Sequence, residues 1–412
     1  MRVFDIPSYF YPESMSSSHL DDDLHRAMAD AGIYVELFAA TPSRNVSDEV
    51  RKEYCHKKKE TLYDGKMTVH RYALYREGRN PILRALRYLF QCCQQFRLAI
   101  FSKAGRACDV MFVASTPPIK GAMAALVKKV RKIPLVYNLQ DIFPDSLVGA
   151  GLAKQGGLLW KIGRLIENFT YRNADKIIVI SEDFKRNIMA KGVPEEKIEV
   201  IYNWVDENAV HPVKDEENGL FEEFGIARDK FRVVYAGNLG NAQNINLIVN
   251  AAAILRRKDD IEFIIFGTGG LESEIRERID KEHLTNVRLL PLQPYGRVSE
   301  VYSLGHVDIV ACKAGLGGSA MPSKTWSIMS TGRPVLANFD EGELKEIMEK
   351  NDCGVFTMAD DLSGFVKAIE NLAAHRERCA EMGRNGRKFI LENLTKEVGT
   401  RKYVEVIKSF ER

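Results

Sequence analysis

The stretch "FRVVYAGNLGNAQNINLIVNAAAILR", Phe231 to Arg256, decides the fold. An apolar, β-branched run ends at Gly237 and a loop of glycines and amides follows to Asn244. Ile245, Ile248, Val249, Ala252 and Leu255 then recur at helical spacing. A short strand apolar on both faces, followed by an amphipathic helix, is the βα unit of a parallel sheet covered by helices.

The same unit repeats along the chain. Strand-like runs in the first half are "RVFDI", "IYVELFAA", "DVMFVAS", "PLVYNL", "KIIVIS" and "IEVIYN"; in the second they are "FRVVYAG", "EFIIFG", "VRLLPL", "VDIVAC" and "RPVLAN". Two such series in 412 residues predict an α/β protein of two doubly wound, Rossmann-like domains. The polar stretch Asn203 to Gly219 marks the seam, so the expected domains are 1–203 and 204–395. The last amphipathic run, about 396–412, is expected to pack back on the first domain.

The composition, 45% apolar and 28% charged without low-complexity tracts, is that of a globular enzyme rather than a fibrous or disordered chain. The first apolar run is interrupted by charge, and no run approaches the ~20 residues of a membrane span, so a cytoplasmic protein without a secretory signal is expected. Seven cysteines, with no CxxC or Cys/His spacing, predict reduced thiols and no zinc. Residues 1–200 carry 31 Lys and Arg against 23 Asp and Glu, whereas the remainder carries 28 against 33. Basic charge confined to one half argues against nucleic acid.

Ligands in doubly wound sheets bind beyond the carboxyl ends of the strands, which leaves few loops to consider. In "VDIVACKAGLGGSAMPSK" a glycine-rich bend leads into a helix starting after Ser323, a candidate N-cap, and ending near Gly332. Lys324 then lies in the first turn, where a bare cation is unfavourable by about 0.3–1 kcal/mol. Free backbone N–H groups and Lys324 together suit phosphate; a sulfate-like or carboxylate ligand, or a solvent-facing lysine above a common turn, are the alternatives. The loop Gly237–Asn244 offers the amides of Asn238, Gln243 and neighbours to hydroxyl or phosphate oxygens, although asparagines also favour turns. "FGTGG" is a third such junction, with Gly267 and Thr268 at its start. Asp141, just beyond "PLVYNL", suits binding of sugar hydroxyls or proton steering, or else caps a turn. Tyr9, Phe10 and Tyr11 form either an acceptor wall or core, and His19 and His25 stand too isolated to serve as a base.

The motifs "YFYPE", "DVMFVASTPP", "NLQDIFPDS", "VISEDFKRNI", "VIYNWVD", "YAGNLGNAQ", "FGTGG", "LQPYGRVSEVYS" and "MPSK…GRPVLA" occur in this order over nearly the whole chain. So arranged, the chain resembles bacterial family-4 glycosyltransferases of the GT-B fold, in the O-antigen and capsule subgroup that includes L-fucosamine transferases. The resemblance implies two domains facing each other across a cleft, a UDP-sugar donor, possession of neither cofactor nor metal, and a retaining outcome. It further implies a lipid-linked saccharide acceptor and an N-acetylated amino sugar as one candidate for transfer. Many members bind the donor with an arginine and a lysine where this chain has Asn238 and Gln243. Most also carry two glutamates that fall here on Ser319 and Ser327. The subgroup shares these losses and keeps the lysine of "PSK". Donor contacts are therefore expected from Gly237, Asn238, Gly240, Gln243, Gly267, Thr268, Ser319, Ser323, Lys324 and Ser327, with Asp141 catalytic. Acceptor contacts are expected from Tyr11, Glu13 and Ser17. Two rival readings are a nucleotide-sugar epimerase on the same fold and a non-catalytic transferase-like subunit.

The run Arg79 to Arg106 is basic and amphipathic and "KKVRK" follows at 128–132, so Arg84, Arg87, Lys128 and Lys129 are expected to hold an anionic membrane surface. A core-packed helix with a solvated basic edge is the alternative.

Overall fold

Strands with no polar face must be covered on both sides, so the apolar runs pair in parallel with helices above and below. The structure, a computed structural model, describes residues 1–13, 18–78, 80–149, 151, 153–317 and 321–411. The chain divides into two compact units, Met1–Tyr202 with Glu397–Arg412, and Asn203–Lys396.

In the first unit the strands are β1 (Arg2–Asp5), β2 (Tyr34–Ala40), β3 (Lys59–Leu62), β4 (Met67–Tyr72), β5 (Val110–Ala114), β6 (Leu135–Leu139), β7 (Lys176–Val179) and β8 (Ile198–Val200). They lie in the order β3-β4-β2-β1-β5-β6-β7-β8, with β3 antiparallel to β4 and every other pair parallel. The second unit holds β9 (Phe231–Asn238), β10 (Ile261–Thr268), β11 (Val287–Leu290), β12 (Val307–Ala311), β13 (Val335–Phe339) and β14 (Gly354–Met358). Their order is β11-β10-β9-β12-β13-β14, all parallel. Strands β3, β4 and β14 were absent from the apolar pattern. All three lie at or next to a sheet edge; β3 alternates exposed and half-buried residues, so its sequence can be polar, whereas β14 (GVFTM) is a short edge strand of mostly half-buried residues.

The C-terminal helix Lys396–Lys408 belongs almost wholly to the first unit. Its buried Tyr403 donates from its hydroxyl to Asn138 Oδ1 on β6 at 3.1 Å. Ser47, Ser181 and Asp361 cap their helices by accepting from a backbone N–H. Ser323 does not: its backbone is already helical and its side chain makes no cap bond. The N-cap expectation at Ser323 is corrected accordingly.

One core residue opposes folding. Asp308 on β12 is fully buried, and neither carboxyl oxygen has a hydrogen-bond partner among the described residues. Burial holds its pKa well above the ordinary carboxylate value, with Arg333 opposing weakly. The folded state therefore keeps a proton that the unfolded chain releases near its ordinary pKa. This contribution to stability is present below the unfolded pKa and is lost as pH rises towards the folded one. Asp308→Asn should therefore raise Tm near pH 7.5 relative to the wild type. The gain should disappear near pH 4; a pH-independent change in thermal unfolding would remove ionisation as the cause.

Candidate active site

The donor-half candidates gather where the second sheet reverses its strand order. From β9 the chain winds outward to β10 and β11, then returns to β12 on the other side, so β9 and β12 flank the switch point. Lys324 starts the helix Lys324–Ser330 after β12 and reaches back to β9. Its Nζ donates to the carbonyl of Ala236 at 3.2 Å and lies 4.4 Å from the centre of the Tyr235 ring. Burial pushes its pKa down to about 8, and no carboxylate pairs with it among the described residues. The ammonium is thus a desolvated cation without a counter-ion.

Gly237 makes this approach feasible. Its φ is +146°, and a Cβ there would stand 2.9 Å from the Lys324 amine. Beyond it, Asn238 Nδ2 donates to Gln243 Oε1 at 3.0 Å, so the two amides form one bridge over the loop. A Cβ on Gly240 would strike both of them, at 2.7 and 2.8 Å. Gly267 and Thr268 pair in register with Gly237 and Asn238, and a Cβ on Gly267 would meet the Gly237 carbonyl at 2.6 Å. Ser327 shares the face of Lys324 one turn along its helix. Ser319 lies outside the described residues.

The anion-binding bend expected after β12 is corrected in part. Asp340 accepts from the N–H groups of Gly315 and Gly317 at 3.0 and 2.7 Å, and Asp360 accepts from Ala314 at 3.3 Å. A carboxylate from the chain itself fills the place proposed for a ligand's anion. Among the described residues, Lys324 and the loop after β9 remain open to an external one.

In the first unit, Asp141 follows β6. The residue is exposed, yet burial of its carboxyl raises its pKa, against hydrogen bonds from the Ser146 side chain and the Ile142 backbone. Tyr11 is 66% exposed, and its ring lies edge-on to Tyr54. Phe10 is buried and is core rather than wall. Glu13 is not free for an acceptor: it is buried, and Oε1 accepts from the N–H groups of Ser43 and Arg44 at 2.8 and 2.9 Å, bracing one loop against another. Ser17 lies outside the described residues.

The sequence reading missed a buried polar cluster at the β1–β5 switch point. His25, which looked isolated, has Nε2 2.7 Å from Asp5 Oδ2. Burial alone would lower its pKa, but the Asp5 bond and nearby carboxylates turn the shift upward. At its rim Asp21 is exposed as a residue, yet burial of its carboxyl raises its pKa to about 6. Lys120, just after β5, donates to Ile6 O at 2.8 Å and to Ser8 Oγ at 3.0 Å, and burial lowers its pKa to about 8. It repeats the Lys324 arrangement: a lysine opening the helix past the switch and reaching back to the end of the first strand. That shared position after "DVMFVASTPPIK" and "VDIVAC…PSK" was the available signal.

The membrane expectation also needs correction. Arg87 is 1% exposed, donating to Tyr75 O and Ser43 Oγ at 3.1 and 2.8 Å, so it cannot meet a lipid headgroup. Lys128 is tied to Asp175 at 2.6 Å and to Asn173 O at 2.7 Å. Arg84 is half-exposed beside Glu77, and Lys129 is exposed near the Phe169 ring. No helix among the described residues is long and apolar enough to cross a membrane, and no group of His, Cys, Asp and Glu there could hold a metal ion.

Comparison with known proteins bears on this geometry. The chain is 24% identical to the probable glycosyltransferase WbjE of Pseudomonas aeruginosa over 299 residues, covering 72% of this chain and 74% of that protein. It is 27% identical to the putative colanic acid biosynthesis glycosyl transferase WcaI of Escherichia coli over 210 residues, about half of each: 50% and 51%. The crystal structure of HepE from Anabaena in complex with UDP superposes with a TM-score of 0.71 over 99% of both chains at 16% identity, a likeness of GT-B fold alone. Residues 22–209 match the family model described as Glycosyltransferase Family 4, and residues 216–389 match Glycosyl transferases group 1. Two adjoining matches that span both sheets, each ending close to the division between the units, make the chain a family-4 glycosyltransferase.

Proposed function

We propose that the chain transfers a sugar from a UDP-sugar to a lipid-linked saccharide during assembly of a bacterial surface polysaccharide, with retention of configuration. The observation that carries this reading is the uncompensated Lys324 ammonium at the β9–β12 switch point. A donor diphosphate is the partner it lacks; the names of the relatives WbjE and WcaI support sugar transfer, and the UDP complex of HepE supports a UDP-linked donor.

In the reaction the bond from the sugar's anomeric carbon to the β-phosphate oxygen breaks, and a bond to the acceptor hydroxyl oxygen forms. Charge grows on the departing UDP, where Lys324 meets it without having to reorganise. The departing phosphate takes the acceptor's proton, so no strong base is needed. Asp141 orients the acceptor hydroxyl or the donor sugar, while Asn238, Gln243, Thr268 and Ser327 hold donor oxygens. Tyr11 offers an exposed ring to the acceptor.

A lipid-linked acceptor requires the enzyme to meet a bilayer. The helices Pro81–Phe101, Ile119–Arg131 and Leu158–Asn173 pack side by side in that order. They leave Leu86, Phe90, Leu126, Val130, Leu158 and Leu165 exposed, with the exposed cations Arg97, Lys129 and Lys161 among them. Exposed apolar side chains interspersed with cations on adjacent helices suit insertion at an anionic surface.

The purified chain, offered a panel of UDP-sugars and polyprenyl-diphosphate saccharides in anionic vesicles, should float with the vesicles and form one glycosylated lipid. Val130→Asp with Leu165→Asp should lower flotation by about tenfold or more and leave UDP binding intact. Sugar epimerised without transfer would favour the epimerase reading, and binding without any turnover a non-catalytic subunit.

A further inference from the structure

The second unit carries another cationic site, at the end of its sheet opposite Lys324. A cavity of about 670 Å³ opens where the helix Lys324–Ser330 ends and the chain turns through Thr331 and Gly332 towards β13. Its wall holds Lys214, Arg333, Arg384, Arg387 and Lys388 against a single carboxylate, Glu392. That concentration stands out in residues 201–412, where acids outnumber bases.

Two of the guanidinium groups are oriented by carbonyls. Arg387 donates to Ser330 O and Ser330 Oγ at 2.7 Å each, and to Val210 O and Glu207 O at 3.2 Å each. Arg333 donates to Ser303 O at 2.6 Å, and its nearest carboxylate, Asp215 at 3.7 Å, is shared with Arg232 at 2.7 Å. A carbonyl fixes a guanidinium in place without cancelling its charge, which leaves both groups positive and immobile. Arg384 has no ion-pair partner among the described residues, and the Lys388–Glu392 pair at 3.9 Å is long and exposed. Exposed pairs of this kind hold little energy and yield readily to a stronger anion.

We propose that this cavity binds a phosphorylated small molecule of sugar-phosphate size, its phosphate held between Arg384, Arg387 and Lys388. Planar guanidiniums match phosphate oxygens two at a time, and the volume lies within the range of small-ligand sites. The site is separate from the donor pocket and its occupancy does not depend on Lys324.

The test uses full-length protein carrying Lys324→Ala, so that the donor site contributes little, titrated calorimetrically with glucose 6-phosphate, glucose and inorganic pyrophosphate. Both phosphorylated probes should bind at one site per chain with affinity that falls as salt rises, and glucose should not bind. Adding Arg384→Ala and Lys388→Ala, both exposed positions, should weaken binding by about tenfold or more with the thermal unfolding curve unchanged. Arg384→Glu should abolish it. Unaltered binding in these variants, or no binding of either phosphorylated probe, overturns the proposal. So does binding, in a parallel flotation assay, only to vesicles of phosphatidic acid, which would make the face a lipid-headgroup contact. The Lys324→Ala background separates this outcome from failure of the donor reading, because UDP binding is scored independently in the wild-type protein.

Discussion

Replacing Lys324 with alanine is expected to weaken UDP binding by about 1.5–3 kcal/mol, roughly 10- to 150-fold, the range for a hydrogen bond to a charged group. The folded state should lose little. Removing an ammonium whose pKa burial has lowered to about 8 relieves a desolvation cost, while the bond lost to Ala236 is a single one. The same group sets a pH signature. A diphosphate binds the protonated lysine, so wild-type affinity for UDP should decline as pH rises through about 8, and the variant's affinity should stay flat there. Calorimetric titration showing equal affinity for UDP in both proteins would remove Lys324 from the donor site. Gly237→Ala is a companion test: a Cβ there falls 2.9 Å from the amine and needs a φ that alanine avoids, so it should damage the same affinity without removing the cation.

Asp141→Asn should lower kcat by about 10²-fold or more while UDP affinity stays near the wild-type value. The substitution keeps size and most hydrogen bonding, so what it removes is negative charge. Burial raises the Asp141 pKa, the direction expected for a carboxyl set to exchange hydrogen bonds with a substrate. As the folded pKa lies above the ordinary value, wild-type kcat should rise with pH through that range and the variant should lose the acid limb. A variant that turns over at the wild-type rate would make Asp141 a turn residue held by Ser146 and Ile142.

The architecture was legible because a strand's faces and a helix's stripe are local properties, written in runs of about five to fifteen residues. "FRVVYAG", "EFIIFG" and "VDIVAC" declare buried parallel strands without reference to anything distant, and the place of Lys324 in one turn raises the question of an anion. What the sequence left undecided was the identity of long-range partners, since these depend on strand order. Only the folding of β12 beside β9 brings Lys324 to Ala236, 88 positions away, and only β1 beside β5 brings Lys120 to Ile6, 114 positions away. For the same reason Glu13 looked available for a ligand, although Ser43 and Arg44 hold it, and the bend at Gly315 looked open although Asp340 fills it. Arg87 and Arg84, three residues apart on one helix, read alike as basic surface, yet the packed loops bury the first and leave the second half-exposed. Periodicity thus determined which elements form and which faces they bury. Tertiary packing alone decided which charges remain without a partner, because a charge's partner is set by whichever segment the sheet order lays against it.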